Sequence, residues 1–107
     1  MVSASMSMQI EYDSAKDRLN REKHGIGLDA ASLIFATPSV QWISPRLGHG
    51  EVRYVAVGLL DGFEFTCVFT LRDDVARIIS LRRPRHEERD RFWKVRRGQI
   101  RPSENDS

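Results

Sequence analysis

At 107 residues the chain has room for one domain with a real core and none for a second. Its 40% hydrophobic and 30% charged content suits a globular protein, and no apolar run approaches the roughly 18 residues a membrane span needs. A single cysteine, Cys67, excludes both an intrachain disulfide and a cysteine zinc site. Net charge is only +2, yet it is segregated. Ten of the seventeen basic residues fall within 77–101 against three of the fifteen acidic ones, so this segment carries +7 and the remainder −5. Such a region fits a polyanion site or an acidic protein partner.

The opening MVSASMSMQIEY has neither the basic nor the apolar region of a signal peptide. Residues 1–8 read as a disordered leader, with Met8 an alternative start, and the expected setting is cytoplasmic, away from any membrane. Asp13 or Ser14 caps a first helix reaching about Lys23, on which Ala15 and Leu19 share a face; Gly25 stops it. A second helix follows, with Asp29 as its N-cap, a Leu28–Leu33 staple, and Ala30, Ala31, Leu33, Ile34 and Phe35 packed on the core. Thr37-Pro38 ends it.

The chain then turns to strands. Val40–Ile43 is short and closed by Ser44-Pro45, and RLGHG (46–50) is a flexible loop. Val52–Leu60 and Phe63–Leu71 flank Asp61-Gly62, a strong hairpin signal. A turn at Arg72-Asp73-Asp74 leads to Val75–Leu81. Phe63, Phe65, Cys67, Phe69 and Leu71 alternate with Glu64, Thr66, Val68 and Thr70, as on a half-buried antiparallel strand. Pro84 breaks the last strand, residues 85–97 form a helix, and 98–107 is a flexible tail. The expected fold is α+β: two N-terminal helices, an antiparallel sheet of about four strands and a C-terminal helix, as one domain over 9–97. Helices cover one sheet face, leaving the other for solvent or a ligand.

If Ile79 and Leu81 point into the core, Ser80 and Arg82 point to the opposite face. Arg77 shares parity with Ile79, which puts it on the buried side or at that edge unless a bulge intervenes. Arginine on an uncovered sheet face suits phosphate, whose oxygens match the guanidinium fork. In the last helix Glu88, Phe92 and Val95 share a face, and Trp93 is either a core edge or an exposed aromatic. His24 ends the first helix, where a cation is favoured by the dipole, and taken alone this structural reading comes first; proton transfer near neutrality is the functional alternative. His24, His49 and His86 without paired carboxylates or cysteines make a poor metal set. No GxSxG, Walker, HExxH or GxGxxG pattern occurs.

Three blocks resemble the BrnT family of bacterial toxins, whose fold is similar to that of RelE-type ribonucleases. They are IEYDSAKDRLNREKHGI (10–26), EVRYVAVGLLDGFEFTCVFT (51–70) and RIISLRRPRHEERDRF (77–92). The chain differs from the family's pattern at Pro84-Arg85, where a small residue and Ser or Thr are usual, and at Phe92, where tyrosine is usual. The resemblance implies a metal-independent endoribonuclease that inhibits translation by cleaving RNA through its own 2′-hydroxyl. A BrnA-like antitoxin would neutralise it, and DNA would be met only through that antitoxin. No cofactor is implied. Carried over by motif, His24 or Lys23 would transfer protons, and Arg53, Arg77, Arg82 and Arg83 would hold the phosphate with Ser80 in support. Glu88 would act as a base or orient an arginine, and Arg85 and Arg89 would add RNA contacts. The competing expectation is a non-catalytic nucleic-acid-binding or protein-interaction module using the basic C-terminal segment.

Overall fold

The computed structural model describes residues 8–45 and 50–98. The polar tail, most of the RLGHG loop with His49, and the expected leader up to residue 7 lie outside the described residues.

The elements run β1 (Gln9–Glu11), α1 (Ser14–His24), a 3₁₀ turn (Leu28–Ala30), α2 (Ala31–Phe35), β2 (Val40–Ile43), β3 (Tyr54–Leu60), β4 (Phe63–Arg72), β5 (Val75–Arg82) and α3 (His86–Arg96). The α+β expectation holds, with a fifth strand added. The sheet order is β1-β5-β4-β3-β2, and β1 joins β5 in parallel, so the sheet is mixed. Three residues carry too little alternation to announce a strand; only the neighbouring edge of β5 makes them one.

Both hairpins follow from their turn residues. Asp61 and Gly62 have φ of 52° and 82°, and Asp73 and Asp74 have 51° and 67°, the paired left-handed geometry of two-residue turns. Asp13 caps α1, its carboxylate accepting the Lys16 N–H at 3.0 Å, and Gly25 ends it at φ 74°. The expected long second helix is instead a 3₁₀ turn and five α-helical residues. Asp29 makes no cap hydrogen bond, and the expected staple fails because Leu33 is 57% exposed.

Helices cover the sheet on both sides. On one face Leu28, Ala31 and Ile34 pack on Ala56, Cys67, Phe69, Ala76, Ile78 and Leu81. Each large side chain buried here contributes about 1.5–3 kcal/mol. Gly58 permits the close approach of α2, since a Cβ there would lie 3.1 Å from Ile34 Cγ2. On the other face α3 lays Phe92 on Val40, Val55 and Val57, with Trp42, Trp93 and Val95 around it.

The apolar face expected on α1 is not buried: Ala15 and Leu19 are exposed, and Asn20 is the helix's buried residue. Its amide Nδ2 donates to the carbonyls of Leu81 (2.8 Å) and Ile26 (2.9 Å), while Oδ1 accepts the Leu81 N–H at 3.2 Å. A helix is held to a strand edge by one side-chain amide.

A β-bulge sets the faces of β5. Val68 pairs with Ser80 but Phe69 with Ile78, leaving Ile79 as the extra residue. Ile78, rather than Ile79, therefore enters the core. Leu81, Ser80 and Arg82 keep their expected faces. Arg77 pairs with Thr70 and shares the face of Ser80 and Arg82, because the bulge reverses the parity between them.

Candidate active site

Between β2 and the sheet face on one side and α3 on the other lies a cavity of about 620 Å³. Ser80 and Arg82 of β5, Arg53 just before β3, and Arg85, Glu88, Arg91 and Lys94 from α3 and its approach line it. Its floor is apolar. Trp42, Val55, Val68 and Ser80 are successive partners across β2, β3, β4 and β5, and so form one rung of the sheet.

At the β5 end, Arg82 is fixed by a two-point bond to Glu88: Nη1 to Oε1 at 2.8 Å and Nη2 to Oε2 at 3.0 Å. Glu88 Oε1 also accepts the Thr66 hydroxyl at 3.1 Å and the Arg85 N–H at 2.8 Å. Burial of this carboxyl works against its ionisation. Arg82, the Arg85 N–H and the Thr66 hydroxyl outweigh it and hold the group below the usual carboxylate range. Both oxygens are engaged and proton affinity is low, a condition that suits orienting an arginine better than taking a proton. Pro84 ends β5 and lets the chain turn so that Glu88, in the first turn of α3, faces back onto Arg82.

The expected site residues fall into four groups. Arg53, Ser80, Arg82, Arg85 and Glu88 meet at the cavity. Arg77 is ion-paired with Glu11 at 3.1 Å and is not among the cavity-lining residues. Arg83 and Arg89 converge on Glu64, at 3.2 and 3.7 Å, where Trp93 Nε1 also donates at 2.8 Å. The Trp93 bond, with the two arginines, keeps Glu64 below the usual carboxylate range. Lys23 and His24 stand exposed at the end of α1. His24 is near enough to Arg82 to feel its charge: desolvation first, then Lys23 and Arg82, depress its imidazole below the ordinary value. It therefore favours the neutral, proton-accepting form at neutral pH.

The sequence reading missed Asn20, Trp42, Thr66 and Arg91. Asn20 was visible only within the first family-like block, with no role assigned. Trp42 stood in a four-residue strand with no partner known, though its parity with Val40 was readable. Arg91 lies over the Trp42 ring, with its guanidinium carbon 4.1 Å from the ring centroid. Among the described residues, no three or more His, Cys, Asp or Glu side chains gather as metal ligands. None of the described helices is long and apolar enough to cross a membrane.

The sequence model of the BrnT ribonuclease toxins of type II toxin–antitoxin systems matches residues 12–88. The chain belongs to the BrnT family. The match runs from just before α1 to Glu88, and so takes in every residue of the Asn20–Leu81 and Arg82–Glu88 contacts. Family membership makes this a ribonuclease toxin, with RNA as its substrate and an antitoxin as its partner. Comparison with curated proteins gives no match.

Proposed function

We propose that the chain is an endoribonuclease that cleaves RNA by attack of a ribose 2′-hydroxyl on the adjacent phosphorus, without a metal ion. The 2′-oxygen loses its proton and bonds to phosphorus as the P–O5′ bond breaks. The products are a 2′,3′-cyclic phosphate and a 5′-hydroxyl that takes up a proton. This reaction needs cations for the pentavalent phosphorane, a base and an acid. The observation that carries the reading is the Arg82–Glu88 pair: a planar guanidinium held in one orientation at the wall of a nucleotide-sized cavity, two residues from Ser80.

In this reading Arg82 and Arg53 bind the non-bridging oxygens, and Ser80 donates a further hydrogen bond. Glu88 orients Arg82. His24, kept neutral, takes the 2′-proton, and Lys23 beside it supplies charge or the returning proton. Arg85 extends the cation surface at the cavity mouth. Arg77, Arg83 and Arg89, each tied to a carboxylate outside the cavity, attract the flanking strand. The protein acts in the cytoplasm on translated RNA. A BrnA-like antitoxin neutralises it and brings it to DNA.

The test is direct. Purified protein in EDTA is given single-stranded RNA, and the new ends are mapped. Cyclic phosphate ends that vanish with a 2′-deoxy nucleotide at the scissile position, and with Arg82→Ala, support the mechanism. Cleavage that survives the 2′-deoxy substitution overturns it.

A further inference from the structure

The groups assigned to the phosphate, Ser80, Arg82 and Arg53, account for only part of the cavity wall. A volume of about 620 Å³ is that of a small-molecule site and far exceeds one phosphate. Ser80 and Trp42 lie at opposite ends of the four-strand rung, three strand spacings or about 14 Å apart at the backbone. Val55 and Val68 between them offer no hydrogen bond and no charge, a floor suited to a sugar edge or a ring. At the far end the Arg91 guanidinium lies over the Trp42 indole, its carbon 4.1 Å from the ring centroid. Arg91 is half-buried there and, like Trp42, lines the cavity. A planar guanidinium over an aromatic ring at a cavity wall offers a platform on which a nucleobase stacks.

We infer that the Trp42–Arg91 pair is a nucleobase subsite, which stacks a base of single-stranded RNA while its phosphate lies at Ser80 and Arg82. The inference rests on the ribonuclease reading and adds to it a sequence-tolerant grip on unpaired bases. Every base has a π-face, so stacking alone selects single strands over duplexes rather than one base over another. A duplex cannot use the subsite, because its bases already stack on one another. The protein's preference for unpaired RNA is then built at β2 and α3, away from the reacting phosphate.

The test uses short 2′-O-methyl RNA, which cannot be cleaved by its own 2′-oxygen, in a base-bearing form and in a form abasic at one position. Wild-type protein is expected to bind the base-bearing strand about tenfold or more tightly than the strand abasic at the best position. Arg91→Lys, which keeps the charge but removes the plane, should erase that difference and leave affinity for the abasic strand nearly unchanged. Thermal melting of Arg91→Lys within a few degrees of wild type excludes an unfolding artefact. Arg91→Gln, which keeps a planar group without the charge, should retain part of the difference. Equal binding of the two strands by wild-type protein, wherever the abasic site is placed, overturns the subsite while leaving cleavage of unmodified RNA intact. Absence of both binding and cleavage overturns the subsite and the ribonuclease reading together.

Discussion

Asn20 completes the edge of β5 by bonding both backbone groups of Leu81, as a neighbouring strand would. β1 pairs only as far as Arg77, so the edge beyond it is left to α1. The same amide holds the Ile26 carbonyl and so fixes the end of the helix that carries His24. One buried side chain sets the distance between His24 on α1 and Ser80 and Arg82 on β5.

Asn20→Ala should therefore cost about 2–4 kcal/mol, since it strands buried backbone groups of Leu81 and Ile26. Urea unfolding followed by circular dichroism measures this. A loss below about 0.5 kcal/mol would show that water or a local shift replaces the amide.

The Arg82–Glu88 bond should be visible in both stability and rate. Glu88→Gln leaves Arg82 without its counter-charge in a mostly buried place, and should cost about 1–3 kcal/mol at pH 7. The folded carboxyl titrates below its ordinary value of 4.5. Its contribution is thus fully present above that value and lost as pH falls through the lower folded one. The stability gap between wild type and Glu88→Gln should close at acid pH, and a pH-independent gap would refute the linkage. Cleavage should fall by about 10²-fold as Arg82 loses its orientation.

The rate profile reports on His24. Its imidazole is depressed, so the neutral base persists below the ordinary value of 6.5. Activity should hold from neutral pH down past that value and then drop. His24→Gln should remove this acid limb along with most of the rate. A full acid limb in His24→Gln would assign the base elsewhere.

Arg53 and Arg77 share a sheet face but differ in company. Arg53 lines the cavity, and its loss should cost on the order of 10²–10³ in rate, as for other transition-state donors. Arg77 is paired with Glu11, and Arg77→Ala should lower the rate by less than about tenfold while removing a surface ion pair worth about 0.2–1 kcal/mol. Cleavage assays on the two variants at one salt concentration decide between them.

Cys67 is fully buried, and desolvation pushes its thiol up to about 12. Native protein should resist a thiol reagent at pH 8 and react once per chain when unfolded in guanidinium. Rapid native labelling would mean that the core around Phe69 and Leu81 opens readily.

What the sequence by itself determined was local. Turn chemistry at Asp61-Gly62 and Asp73-Asp74, the cap at Asp13 and the stop at Gly25 depend on residues near in the chain, and each held. The half-buried alternation of β4 did not, since Phe63 and Leu71 are exposed and Thr66 and Thr70 buried. The placement of Ser80 and Arg82 on one face was equally legible, since parity needs only a strand. What the tertiary structure decided were relations between distant residues. A bulge opposite Val68 and Phe69 put Arg77 on the face of Ser80 and Arg82 and exchanged Ile78 for Ile79 in the core, an event in hydrogen-bond register that no single strand records. β1 became a strand only beside β5. Asn20, Thr66 and Trp42 acquired roles only when folding brought each to a partner more than twenty residues away, and it is those pairings that turn a basic segment into a cavity.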